Sequence, residues 1–168
     1  MATKATKKKA KTRKVSTKRA TRKATKKVTA ASAKKSAAAD VPTLFRLNVE
    51  VGNLDEAADF YSKLFGLEGR KQAGSRCYFN CGPVTLQVVD VSAAGKPHPA
   101  AKALYFTVND LDAVFARAKA LGCLSPEDVH GVSGGSISVR PWGERSFYAE
   151  DKWQNPLCFV EGGTVYPG

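Results

Sequence analysis

Alternation in the segment Phe45 to Val51 places Arg46, Asn48 and Glu50 on one face of a predicted strand. The segment Ala103 to Val108 does the same for Ala103, Tyr105 and Thr107. Arg46 has the paired donors to draw in an anionic or carbonyl-bearing ligand, or to pair with a neighbouring carboxylate. Glu50 and Tyr105 become an acid/base pair only where a cleft desolvates them; in water Glu50 is a solvated strand carboxylate. Trp142, in the run Arg140-Pro141-Trp142-Gly143, offers an aromatic plane beside a rigid turn, where it either stacks on a planar ligand or caps a core. His98 and His130 are the only histidines and fall in predicted loops or strand ends. No Ser, Cys or acid stands at a spacing that completes a nucleophile and base. No catalytic residue is therefore assigned.

Such side chains need strands to present them and helices to cover the opposite face. The run Val51-Gly52-Asn53-Leu54-Asp55 returns 57 residues later as Val108-Asn109-Asp110-Leu111-Asp112, each time after an alternating apolar run and before a helix-period segment. Asn53 and Asp110 are placed to cap the two helices, with Glu56 three residues after Asn53. Leu54, Ala58, Tyr61 and Phe65 share one helical face; Leu111, Val114, Phe115, Ala118 and Leu121 share another, and Gly66 and Gly122 end the helices. Strand candidates follow at 68–73, 76–82 and 84–91, then at 123–130, 144–150 and 156–162, punctuated by Gly and Pro. Phe45, Leu47, Val49 and Val51 are expected to pack on the helices, as are Leu104, Phe106 and Val108. The expected fold is α+β: two βαβββ modules, about 44–91 and 102–163, joined by a linker from Val91 to Ala101.

The run Val51 to Asp55 with Phe60-Tyr61-Ser62-Lys63-Leu64-Phe65-Gly66, the second run Val108 to Asp112, the Pro141-Trp142-Gly143 element and the turn Asp151 to Asn155 before Pro156-Leu157 together resemble the glyoxalase/bleomycin-resistance/dioxygenase (vicinal oxygen chelate) superfamily over residues 44–163. The closing turn departs from that family's Asp-Pro-Asp-Gly-Asn, with Lys152, Trp153 and Gln154 in its middle. The resemblance implies that the two modules form a curled mixed sheet around a cleft, with His or Glu metal ligands near the start of each module's first strand and within each last strand. By the repeat those places fall on Arg46, Gln87, Ala103 and Cys158. Arginine has no lone pair, alanine no donor and glutamine only a weak carbonyl, so a single thiol remains. The expectation is no metal and no cofactor, with a ligand cleft built from Arg46, Asn48, Glu50, Gln87, Tyr105, Trp142 and Cys158.

Charge is divided unevenly along the 168 residues. Residues 1–40 carry fifteen of the 27 Lys and Arg and one acid, Asp40, a net +14; the remainder, with twelve basic and fourteen acidic residues, is net −2. The first 43 residues hold no aromatic side chain and only Met1, Val15, Val28, Val41 and Pro42 as apolar groups larger than alanine. That composition predicts a disordered tail (1–42) ahead of a folded domain (43–168). Its Lys/Ala/Thr bias resembles linker-histone tails. Lys7, Lys8, Lys9, Lys11, Arg13, Lys14, Lys18, Arg19, Arg22, Lys23, Lys26 and Lys27 are expected to hold phosphate backbones of DNA or another polyanion by counterion release. Four cysteines, with Cys77 and Cys81 about 13 Å apart on a strand, fit a reduced chain without disulfides. No apolar run reaches the ~20 residues of a membrane span, and no secretory signal follows the basic start. The sequence thus favours a cytoplasmic, nucleoid-associated, homodimeric binder of a small molecule, tethered to nucleic acid. Its alternatives are a metal-dependent glyoxalase-like lyase, isomerase or dioxygenase, and a dimeric architectural nucleoid protein.

Overall fold

Two copies of one element order follow from the repeated sequence. In the computed structural model, which describes residues 42–167, the first module runs β1 (Arg46–Val51), α1 (Leu54–Phe65), β2 (Arg70–Gln72), β3 (Arg76–Cys81) and β4 (Val84–Asp90). The second runs β5 (Leu104–Val108), α2 (Leu111–Ala120), β6 (Asp128–Val129), β7 (Val132–Ser133), β8 (Ser138–Val139), β9 (Arg145–Glu150) and β10 (Pro156–Glu161). The expected tail, with all of its nucleic-acid residues, lies outside the described residues. Asn53 Oδ1 accepts the Glu56 N–H at 3.0 Å and Asp110 Oδ1 the Ala113 N–H at 2.9 Å, so each helix starts on the capping residue that the repeat supplies. Gly66 closes α1 in the left-handed region at φ 67°. Neither helix is long and apolar enough to cross a membrane.

The strands form two four-stranded mixed sheets, β1-β4-β3-β2 and β5-β10-β9-β8, one from each module, giving the expected α+β fold. In each, the first strand runs parallel to the last and the rest pair antiparallel. The segment 123–130 is not a strand of the second sheet. Leu124 makes one bridge to Ala149, and only Asp128–Val129 is extended, in a two-stranded ribbon with β7. Pro126 removes a ladder donor, and the chain then folds back so tightly that a Cβ on Gly135 would collide with the Ser125 carbonyl oxygen.

One apolar core serves both modules. Val49, Val51, Phe79, Leu86 and Val88 of the first sheet and Phe147, Leu157 and Phe159 of the second join Tyr61 and Leu64 of α1 and Leu111, Val114 and Ala118 of α2. Phe65 of α1 lies with its ring centroid 5.7 Å from Phe79 and 5.1 Å from Phe106, so α1 sits between the helix-side faces of both sheets. The opposite faces turn away from this shared core; that of the second sheet packs a smaller cluster of its own, Tyr148, Cys158 and Val160 with Ala103 and Val129. Phe45 is a correction: it precedes β1, is 64% exposed, and carries the Arg46 guanidinium over its ring where core packing was expected.

The closing turn locks this arrangement. Asp151 is buried and takes four donors: the Trp153 and Asn155 N–H groups on Oδ1, and the Tyr61 hydroxyl and Asn155 Nδ2 on Oδ2, all at 2.8–2.9 Å. Asn155 also donates to the Glu50 carbonyl and accepts from Ala100, tying α1, β1, the linker and β10 to one point. Gln154 occupies the left-handed region at φ 65°, so the turn closes with Gln154 in a conformation that glycine adopts more easily.

Candidate functional site

The outward face of the first sheet carries four of the residues singled out from sequence. Register puts Asn48, Gln87, Tyr78 and Arg70 in one row across β1, β4, β3 and β2, with Arg46 beside Thr85 and Glu50 beside Val89. Arg46 and Arg70 hold their guanidinium carbons 5.3 and 5.6 Å from the Tyr78 ring centroid, and the Tyr78 hydroxyl donates to Gln72 Oε1 at 2.9 Å. Glu50 accepts the His98 N–H at 2.9 Å and lies 3.1 Å from His98 Nδ1. The backbone hydrogen bond from His98 holds its carboxyl below the usual range, so Glu50 is suited to remain an ionised acceptor.

The outward face of the second sheet is partly roofed. Tyr105, Cys158 and Tyr148 form the row that matches Asn48, Gln87 and Tyr78, and the two tyrosine hydroxyls meet at 3.0 Å. Over them lies Arg140, only 2% exposed. It donates from Nε to Ser146 Oγ (2.9 Å), from one terminal nitrogen to the Ser146 carbonyl (3.2 Å) and from the other to the Val129 carbonyl (3.3 Å), and its guanidinium carbon stands 5.0 Å from the Tyr148 ring centroid. A cavity of about 570 Å³, lined by Lys102, Ala103, Tyr105, Val129, His130 and Tyr148 among others, opens beside this roof. Burial and the Tyr105 hydroxyl push the Tyr148 phenol far above its ordinary value, so it stays protonated. A further cavity of about 410 Å³, mostly apolar, lies between the β3–β4 turn and β5, with Phe65, Leu67, Cys81, Phe106 and Val114 in its wall.

The seven expected cleft residues thus divide. Arg46, Asn48, Glu50 and Gln87 share the first sheet; Tyr105 and Cys158 share the second. Glu50 and Tyr105 form no acid/base pair within the chain, because each has its own partner, His98 and Tyr148. Trp142 donates from Nε1 to Glu144 Oε2 at 2.7 Å and packs edge-on to His130 at 4.8 Å, joining the roof of the second sheet and not the first-sheet row. Cys158 is fully buried, and burial pushes its thiol up to about 11, which removes it as an open ligand group. Sequence reading missed Tyr78, Tyr148 and Arg140; pairing β3 and β9 with their neighbours by alternation would have found the two tyrosines.

The donor set does not fit a catalytic ion of the kind the family resemblance implies. Arg46 stacks on aromatic rings, Ala103 has no donor, Gln87 offers one amide and Cys158 is enclosed. Among the described residues no three His, Cys, Asp or Glu side chains converge to hold a metal.

A duplicated βαβββ scaffold of this kind is a fold that many chemistries share. Residues 43–159 match the Glyoxalase/Bleomycin resistance protein/Dioxygenase superfamily, and the chain belongs to it. Among solved structures it is similar to Oxidase ChaP-H1 (23% identity, 76% of this chain and 100% of that one, TM-score 0.61). It is also similar to a glyoxalase/bleomycin resistance protein from Albidiferax ferrireducens (19%, 69% and 95%, 0.58) and to lactoylglutathione lyase from Agrobacterium tumefaciens (24%, 73% and 96%, 0.52). At these identities the likeness is one of fold. No curated protein matches the chain significantly.

Proposed function

We propose that this chain is a small-molecule-binding member of the superfamily that works without a catalytic metal and is held at nucleic acid by its basic N-terminal segment. One observation carries the reading: the four positions that the family resemblance marks for ligands hold Arg46, Gln87, Ala103 and Cys158, a set unable to coordinate an ion but, at Arg46 and Gln87, suited to hydrogen-bond an organic ligand. The outward faces favour a homodimer. β1 and β5 are edge strands among the described residues, and a two-fold partner would set one chain's first-sheet face against the other chain's second-sheet face. The net +14 of residues 1–40 supports binding to duplex phosphates with little sequence preference. A nucleoid-associated, cytoplasmic place follows from that reading.

Two measurements on the full chain test it. A thermal-shift screen against small organic molecules, run with and without chelator, is expected to give stabilising compounds whose effect the chelator leaves unchanged. Duplex-DNA affinity is expected to fall steeply with salt, with a log–log slope of roughly −0.9 per phosphate contacted. Chelator-sensitive stabilisation contradicts the metal-free reading, and salt-insensitive DNA binding contradicts the tether.

A further inference from the structure

The first-sheet face is cationic, and no described carboxylate pairs with its arginines. Arg46, Arg70 and Arg76 project from it, and its one strand carboxylate, Glu50, is already engaged by His98. None of the three arginines makes an ion pair among the described residues. Two shallow hollows, of about 350 and 360 Å³, are both lined by Arg70 and Tyr78. Glu68 borders one, whereas the other is walled by Arg46, Arg70, Lys71, Gln72 and Tyr78 with no acid in its lining. Lys71 answers Asp55 on the helix side, so the hollow's cations with no ion pair among the described residues are Arg46 and Arg70.

Gln87 lines neither hollow but lies next to Tyr78, which lines both. It is 7% exposed, yet its side-chain amide makes no hydrogen bond to any described residue. No fully enclosed polar side-chain atom lacks a partner, so the Gln87 amide is reached from the open face. Its amide therefore presents a donor and an acceptor on the open side of the sheet, where a polar substituent of a ligand can meet it.

We infer that the first-sheet face takes a planar organic anion, an aromatic or conjugated carboxylate or sulfonate. Arg46 and Arg70, which flank the Tyr78 ring, grip its charge, its ring packs against their guanidinium planes beside Tyr78, and the Gln87 amide meets a polar substituent. Arginine suits this role because its planar fork gives paired donors to a carboxylate while its face stacks on rings. The same cations disfavour a positively charged ligand. This rests on the small-molecule reading above and narrows it to a ligand class.

The test uses the full chain with two fluorescent planar probes, anionic 8-anilinonaphthalene-1-sulfonate and cationic thioflavin T. Variants are Arg70→Gln, Gln87→Leu and Lys119→Gln; the last removes one charge from exposed α2, away from the face. The tail is common to all of them, so differences between variants report the face. The inference predicts that Arg70→Gln and Gln87→Leu each weaken the anionic probe about tenfold while Lys119→Gln changes it less than about twofold. Equal weakening by Arg70→Gln and Lys119→Gln overturns the inference, since charge anywhere then suffices. If Gln87→Leu weakens thioflavin T and not the anionic probe, the ligand class is wrong and the small-molecule site stands. If neither probe responds to Gln87→Leu, the site and the reading beneath it both fall.

Discussion

Replacing Tyr61 with phenylalanine removes one oxygen from the point where the two modules are tied. The hydroxyl donates to Asp151 Oδ2 at 2.8 Å between a fully buried ring and a carboxylate that is 3% exposed. Burial, with the Asp151 charge, pushes the phenol well above its ordinary value, so at neutral pH it is a donor. A hydrogen bond to a charged group contributes about 1.5–3 kcal/mol net. Asp151 keeps three other donors and the ring keeps its contacts with Phe60, Phe65 and Phe79, which places the loss near the middle, at about 2 kcal/mol. For a folded part of this size that is a fall in Tm of about 6–10 °C. Urea denaturation of the Tyr61→Phe chain is therefore expected to show a lower midpoint with an unchanged m-value. Asp151→Asn should cost more, since its amide N–H₂ would face donors, and the double variant should show about 1–2 kcal/mol of coupling. A Tyr61→Phe cost below about 0.5 kcal/mol, or additive single effects, would refute the idea that this carboxylate is the tie point.

Other consequences follow from the same geometry. Gln154→Gly, at φ 65°, should stabilise the chain by about 0.5–1 kcal/mol in urea titration, because glycine takes the left-handed region without strain. Gly135→Ala should destabilise by about 2 kcal/mol or more, since its Cβ meets the Ser125 carbonyl; melting at wild-type temperature would show that the ribbon yields freely. Cys123 and Cys158 have thiols pushed by burial from 9.0 to about 11, so they favour the native state up to the unfolded thiol range, and that contribution is lost as pH rises from about 9 to 11. Stability measured across that interval should fall, and flat stability would contradict the enclosure of both thiols. At pH 8 a thiol reagent should reach the partly exposed Cys81 first and the other three only on unfolding.

The repeat made most of the fold legible. Asn53, Asp110 and Gly66 act locally, through a cap or a left-handed backbone, so one sequence suffices to place them. Strand alternation likewise sorted Val49 and Val51 from Arg46 and Asn48. What sequence could not carry was which way the two modules turn. Phe65 sits between Phe79 and Phe106, and that contact across the chain sends the sheets' other faces outward and divides the expected cleft. The roof of the second sheet was hidden for a related reason: Arg140 reads as a surface cation until carbonyls of Val129 and Ser146 are folded over it. Segment 123–130 misled because its apolar content signals a strand, while Pro126 and the glycines after it bend the backbone away from the ladder.

Elemental analysis of the full-length protein, purified without chelator, reaches the central claim most directly. The account predicts well under one equivalent of zinc, nickel, iron or manganese per chain, unchanged after dialysis against those ions. A tightly held equivalent whose removal abolishes ligand binding would contradict it.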